Sequence, residues 1–577
     1  MHRSISFPLL WSPRLILKIL VLQILVLFHF SVSSQALASV PNALSLVTDD
    51  LRQRLENHSA GQAFSAGDVT VQSLEKIKEF YAQRNYQPAW LDADGPVANA
   101  DSLLAAVRSA DREGLQPADY HKNAISDGLT IVRITHSPSV RLLTDVELVL
   151  SDAFFTYGSH LLSGRLNPKT IDHQWIQKPR SKDLVKLLQD TLSHGSVSQA
   201  LNSLAPSHRG YGRLRTALYY YRLLEQNGGW PWVSAGPKLQ KGDYSPRVKE
   251  LRRRLQVTYD LPKTVMAGNT GAASNGQPAK DLELYFDAAL HQAVQRFQLR
   301  HGLHNDGIVG PNTLAELNVT AAERVRQLEL NLERWRWLPE ELGQKHIMVN
   351  ITNFEMAVVE DDRPVLDARV VVGMSKRPTP VFTGRMSYLV LNPYWHVPRT
   401  IAIADKLPQL RRNPYALRRQ GIRIFDTSRG GGEIDPGSVD WTQVSAKNFH
   451  FQLRQDPGPG NALGRIKFMF PNRHNVYLHD TPTPQLFERT QRTYSSGCIR
   501  ISKPIELAEY LLKNTDWNRD AIVSASNGRR ERSVKLPEEI PVHLLYWTAW
   551  ADEDGTVHFR KDIYERDKPL AQALFPI

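Results

Sequence analysis

The stretch His474-Asn475-Val476-Tyr477-Leu478-His479-Asp480, followed nineteen residues after His479 by Ser495-Ser496-Gly497-Cys498-Ile499-Arg500, decides how the chain is read. The first segment alternates as a strand does, with Val476 and Leu478 on one side and Tyr477 and His479 on the other. In the second, Cys498 follows a glycine, and Ser502-Lys503-Pro504-Ile505-Glu506-Leu507 reads as a helix start. Gly497 tolerates unusual dihedrals and close packing. Backbone N–H groups of Gly497 and Cys498, with Ser495 and Ser496 shaping the turn, are candidates to hold an oxyanion. Arg500 and the nearby helix N-terminus are expected to lower the thiol pKa, and His479 on an adjacent strand to take its proton. Spacing alone does not establish that the two residues touch.

Cys498 is the only cysteine in 577 residues, so neither an internal disulfide nor a cysteine-rich metal site is available. No metal and no cofactor is expected. A lone cysteine is either a small buried apolar residue or a reactive thiol, and the neighbours of Cys498 favour the second.

Outward from this pair the chain divides. Ile347, Val349 and Ile351 alternate with polar neighbours, and 368–372, 386–391 and 466–470 read as further strands. The span 345–530 is therefore a β-rich domain. It is interrupted over about 405–465 by Pro, Gly and charged residues, including Gly430-Gly431-Gly432 and Pro457-Gly458-Pro459-Gly460, an insertion with the character of a mobile lid. Residues 531–577 are left as a C-terminal segment. Val325, Leu328, Leu332 and Trp335 form one stripe of a connecting helix at 320–340. Residues 244–318 form a three-helix pattern, with Val248, Leu251 and Leu255 on one face and Leu290, Val294 and Phe297 on another. Asp287 is its expected N-cap, Gly302 a stop, Pro311 an opener, and 267–280 a flexible loop. His301 and His304 lack a third ligand and read as surface residues. Residues 39–240 read as mostly helical, with Tyr86, Trp90 and Tyr219-Tyr220-Tyr221 as packing features.

The first forty residues are basic, then apolar, then small: Arg3, Arg14 and Lys18, the run 19–28, and Ala36-Leu37-Ala38. That order is an export signal over 1–38, with an uncleaved membrane anchor as the alternative. Loss of those three basic residues takes the formal charge from +12 to +9. A basic exported surface suits the anionic cell wall or a membrane rather than nucleic acid.

His479 with Ser495-Ser496-Gly497-Cys498-Ile499-Arg500 resembles the signature of YkuD-type L,D-transpeptidase catalytic domains, in which a second histidine commonly stands where Ser496 is. Ala289-Leu290-His291-Gln292-Ala293-Val294-Gln295-Arg296-Phe297-Gln298 and Asp306-Gly307-Ile308-Val309-Gly310-Pro311 resemble a peptidoglycan-binding domain. Together with Phe80-Tyr81-Ala82-Gln83-Arg84-Asn85-Tyr86, Asn392-Pro393-Tyr394-Trp395-His396 and Tyr546-Trp547-Thr548-Ala549-Trp550, the set is similar to the large YcbB-like enzymes of Gram-negative bacteria. The resemblance implies a multidomain α+β chain: helical scaffold, three-helix peptidoglycan-binding domain, and β-rich catalytic domain with a capping insertion. It implies a periplasmic enzyme of peptidoglycan synthesis and cell shape that makes 3→3 diaminopimelate cross-links through a Cys498 acyl-enzyme, releases D-alanine, and reacts with carbapenems. His479 would be the base, and Arg500, Tyr477 and Trp395 would line the substrate pocket. Implied partners are peptidoglycan, with cell-wall synthases and carboxypeptidases as candidates. The same thioester passing to water, a D-amino acid or a lipoprotein lysine, or an inactive wall-binding scaffold, are the alternatives.

Overall fold

The computed structural model describes residues 40–59, 61–171, 179–262 and 282–576. The expected export signal at 1–38 and the loop at 267–280 lie outside the described residues. The described residues separate into two compact units, one drawn from 40–104 and 121–153 and the other from 105–120 and 154–576.

In the first unit, α1 (Val40–Glu56), α2 (Leu74–Gln83), α4 (Lys122–Ile134) and parts of α3 (Ala98–Arg108) and α5 (Val140–Ser163) supply the helical layer. Their polar centre is Glu147, which accepts from Tyr81 Oη at 2.6 Å, Ala89 N–H at 2.9 Å and Trp90 N–H at 2.8 Å. A buried carboxylate is tolerated only with such donors. Burial nonetheless raises its pKa. Tyr81 and Trp90 are fully buried, whereas Tyr86 is half-buried and Tyr219, expected as a packing residue, is exposed.

In the second unit, α6 (Leu184–His194) and α7 (Arg209–Gln226) complete the helical region. The small module follows as α8 (Pro246–Val257), α9 (Ala288–Arg300) and α10 (Pro311–Leu317). Asp287 caps α9 by accepting from Leu290 N–H, and Pro311 opens α10. Leu251, Leu255, Leu290 and Phe297 are buried against one another, each contributing about 1.5–3 kcal/mol. His301 departs from expectation: it is buried, stacked on Phe297 at 3.9 Å, with Nδ1 bonded to the Phe297 carbonyl. His304 is exposed. Helix α11 (Ala321–Arg336) starts with a capping box of Thr320 and Glu323.

The β-rich part is one sheet. Its strands are β1 (Lys345–Asn350), β2 (Glu355–Glu360), β3 (Arg363–Gly373), β4 (Phe382–Leu391), β9 (Ile466–Met469), β10 (Leu478–His479), β11 (Thr493–Ser495), β12 (Ile499–Ile501) and β13 (Arg532–Leu545). The order is β11-β3-β12-β10-β9-β4-β13-β1-β2, and β2 also pairs with β3, so the sheet closes on itself. Val349, Val370, Leu389, Phe468, Leu478 and Val542 fill its interior. β13 pairs with both β4 and β1. The boundary expected at 530/531 is therefore corrected: the segment after it supplies a central strand. Helices α12 (Pro504–Leu511) and α13 (Arg519–Ser526) pack on the same core.

The insertion is folded rather than a bare loop. β5 (Trp395–His396), β6 (Ile422–Asp426), β7 (Gly432–Glu433) and β8 (Phe451–Gln455) form a second sheet in the order β7-β6-β8-β5. It has its own core, including Leu410, Ile424, Trp441 and Leu453. The sheet takes in Trp395 and His396, ahead of the boundary expected near 405. The predicted strand over 474–480 is in fact short, because Asn475 has φ +53° and ordered strand begins only at Leu478.

Candidate active site

Strand register brings the site together. β10 and β12 run parallel, with Leu478 opposite Ile499 and His479 opposite Arg500. Ile499 N–H donates to the Tyr477 carbonyl at 3.1 Å, which sets Cys498 beside Tyr477. On the other side of β10, Lys467 of β9 pairs with His479. The turn leading into β10 is tied by Asn472: its Nδ2 donates to the Phe470 and Val476 carbonyls, each at 2.7 Å, and its Oδ1 accepts from His474 N–H at 3.0 Å.

The cysteine turn is tied as well. Ser495 Oγ donates to the Cys498 carbonyl and accepts from Gly497 N–H at 3.1 Å, while Thr379 Oγ1 donates to the Gly497 carbonyl at 2.9 Å. Gly497 has φ +112°, a conformation that disfavours any side chain. Its N–H, expected among the oxyanion donors, is thus occupied by Ser495. Cys498 N–H is left as the candidate donor. Helix α12 begins only at Pro504, after β12. The positive charge near the sulfur therefore comes from side chains rather than from a helix end.

Cys498 is half-buried. Its Sγ lies 3.7 Å from the Asn475 carbonyl, and the Tyr477 hydroxyl and main chain also hydrogen-bond to the sulfur. Burial pushes the thiol pKa up, and the Tyr477 hydrogen bonds, Lys467 and Arg500 act against it without reversing it. The expectation of a net lowering by Arg500 is corrected accordingly: desolvation outweighs the nearby cations. Tyr477 receives a hydrogen bond from Trp395, and burial with the neighbouring sulfur holds its phenol well above the ordinary range. Arg500 donates through Nη1 to Thr483 Oγ1 at 3.2 Å, and burial lowers its pKa.

His479 is buried, with Nδ1 donating to the Asp480 carbonyl at 2.5 Å and the ring also bonded to the Leu463 carbonyl. Burial, then Arg500, lowers its pKa to about 3, so the ring is neutral at neutral pH. Its ring meets Tyr477 edge-on at 5.7 Å. The structure brings Cys498, Tyr477, Trp395, Arg500 and His479 into one site. Yet the hydrogen bonds of the imidazole go to carbonyls, and those of the sulfur to Tyr477 and Asn475.

Ser496, where a histidine is commoner, accepts from Arg377 Nη1 at 3.0 Å. The same guanidinium pairs bidentately with Asp405 of the insertion, at 2.6 and 2.7 Å. Asp405 lies in a π-helical turn over Ala402–Lys406, a form frequent at functional sites. Sequence reasoning missed Arg377, Asp405, Lys467 and Asn472. The one available signal was Lys467, a cation interrupting the apolar run Ile466, Phe468 and Phe470.

Parts of the chain match known protein families. Residues 344–523 match the L,D-transpeptidase catalytic domain (YkuD), residues 244–317 the family described as "Putative peptidoglycan binding domain", and residues 75–218 a scaffold domain. The chain therefore carries a YkuD-type L,D-transpeptidase catalytic domain together with a peptidoglycan-binding domain and a helical scaffold. A Haemophilus influenzae protein named "Putative L,D-transpeptidase" is 34% identical over 258 residues, covering 45% of this chain and 50% of that protein. The chain thus spans half the length of that relative. A 49-residue stretch is 49% identical to general secretion pathway protein A of Aeromonas hydrophila, covering 8% of this chain and 9% of that protein. A solved L,D-transpeptidase fragment from Xylanimonas cellulosilytica aligns at 17% identity with TM-score 0.17, over 54% of this chain and 99% of that one. Among the described residues no helix is long and apolar enough to cross a membrane, and no cluster of three or more potential metal ligands occurs.

Proposed function

We propose that this protein is an exported L,D-transpeptidase that forms 3→3 cross-links between diaminopimelate residues of peptidoglycan stems, with Cys498 as nucleophile. The observation that carries the reading is the placement of the chain's single thiol. It lies on a glycine turn at the head of β12, between Lys467 and Arg500, two residues out of register with His479. In the first half-reaction Sγ gives up its proton to His479 and attacks the carbonyl at the L-centre of a donor diaminopimelate. The bond to the terminal D-alanine breaks, and its amine leaves with the proton from His479. In the second, the side-chain amine of an acceptor diaminopimelate attacks the thioester, loses a proton to His479, and expels the thiolate. Proton transfer requires the imidazole to turn from its carbonyl partners toward sulfur. Catalytic hydrogen bonds often tighten in this way only once substrate is bound. Cys498 N–H is the donor nearest the developing oxyanion, and Tyr477, Trp395 and Arg500 line the acyl site.

The test uses tetrapeptide-bearing muropeptides and mass spectrometry. Wild-type protein is expected to yield 3→3 dimers and a single carbapenem adduct, and Cys498→Ala neither. Undiminished dimer from Cys498→Ala would refute the assignment.

A further inference from the structure

A nucleophilic thiol is most useful as a thiolate, and burial at this site opposes one. Arg500, in the motif that follows the cysteine, opposes this without reversing it, and His479 directs its hydrogen bonds elsewhere. Lys467 is placed to do so. It stands on β9 in register with His479, one strand removed from Cys498. Its Nζ lies 4.0 Å from the centroid of the Tyr477 ring, and the hydroxyl of that same ring hydrogen-bonds to Cys498 Sγ. Lys467 is half-buried, and among the described residues it forms no ion pair with a carboxylate. Glu531 acts on it only through space, and after Cys498. A partly desolvated ammonium whose foremost acidic neighbour is a thiol is costly unless that thiol ionises. The other charged and titratable groups acting on the sulfur are Tyr477, just ahead of β10, and Arg500 from β12, while His479 of β10 meets the Tyr477 ring. Arg377 is neutralised by Asp405 at Ser496. Arg500 already donates to Thr483, which leaves Lys467 as the cation with no polar side-chain partner of its own.

We propose that Lys467 is the residue that stabilises the Cys498 thiolate, holding the sulfur in an ammonium–thiolate pair across the face of Tyr477. It is a positioning residue for the nucleophile, outside the sequence motif that marks the active site. The inference rests on Cys498 being the nucleophile. In the resting protein, where burial keeps the thiol pKa raised, the sulfur holds its proton; on attack that proton passes to His479, and Lys467 stabilises the thiolate that forms. His479 then gives that proton to the leaving D-alanine amine, and in the second half-reaction takes one from the acceptor amine and returns it to sulfur as the thiolate is expelled.

The test needs no substrate, because the chain has one cysteine. Iodoacetamide alkylation of the full chain is followed by intact mass across pH for wild type, Lys467→Met and Lys467→Arg. The methionine variant is expected to raise the midpoint of the rate profile by about one pH unit and to slow alkylation at pH 7 about tenfold. Its plateau at high pH should be unchanged, and the arginine variant should recover most of the shift. An unshifted midpoint in Lys467→Met overturns the proposal. So does a loss of rate at every pH including the plateau, which is the mark of a merely structural role. If the methionine variant is not recovered folded, Lys467→Gln is read by the same two criteria. Cross-linking by Cys498→Ala would instead overturn the functional reading and leave the lysine–thiol coupling measurable by alkylation.

Discussion

Lowering the pH should destabilise the catalytic domain through His479. The ring is buried with its pKa lowered to about 3, whereas in the unfolded chain it titrates near the ordinary value of about 6.5. Above about pH 6.5 both states hold the ring neutral, and it adds no pH dependence. Below that, the unfolded state binds a proton that the folded state refuses. Stability therefore falls as pH falls, by about 1.4 kcal/mol per pH unit, until the folded ring itself protonates near pH 3. Over the whole window this amounts to roughly 5 kcal/mol, comparable to the entire stability of a small domain. His543 of β13, lowered to about 4 by burial, adds a similar dependence. The assay is urea unfolding of wild type and His479→Gln at half-unit steps from pH 7 to pH 4, followed by tryptophan fluorescence. The wild type should lose about 2 kcal/mol more than the variant between pH 6 and pH 4.5. Parallel losses would show that His479 is not held neutral by its surroundings, and would remove the physical basis for treating it as a base over the acid range.

Two other substitutions separate geometry from chemistry. Gly497→Ala has room, since an added Cβ would come no nearer than 3.8 Å to the Pro378 carbonyl. Its cost is the backbone at φ +112°, about 1–3 kcal/mol. The variant should fold with a lowered melting temperature and lose nearly all acylation by a carbapenem, read by intact mass; full acylation would show that the turn tolerates relaxation. Arg377→Met removes both the Ser496 hydrogen bond and the Asp405 pair. These partners are solvent-accessible, so stability should fall by less than about 1 kcal/mol. Cross-linking should fall about tenfold, as expected when a positioning contact is lost. Unchanged muropeptide turnover would separate the insertion from catalysis.

Much of the fold was legible because its signals are local. The 3.6-residue stripes of α8, α9 and α11 and the alternation of β1 survive in the structure, and Asp287 and Pro311 cap and open helices where their chemistry says they should. What was missed depends on contacts between distant segments. β13 was set aside as a C-terminal segment because its membership of the sheet is fixed by pairing with β4 and β1, which no window of sequence reports. The insertion read as loop because its short strands are stabilised by a core gathered from Leu410, Ile424, Trp441 and Leu453, residues scattered among glycines and prolines.

The same division runs through the site. Cys498, His479 and Arg500 were visible because motif and register keep them near one another. Their electrostatics were not, because pKa values are set by everything that surrounds a group. A reading from charge alone makes Arg500 an activator of the thiol. In the folded molecule desolvation by the sheet outweighs it, for the sulfur and for Arg500 itself. Burial acts on the imidazole in the same sense: it holds His479 neutral and, by disfavouring the imidazolium, weakens the ring as a base. A pocket dry enough to hold a neutral base is thereby hostile to a thiolate, and a second cation close to the sulfur is the arrangement that reconciles the two. Lys467 is the proposed cation, with its Nζ over the Tyr477 ring, on the strand that pairs with the histidine rather than on the one that follows the cysteine.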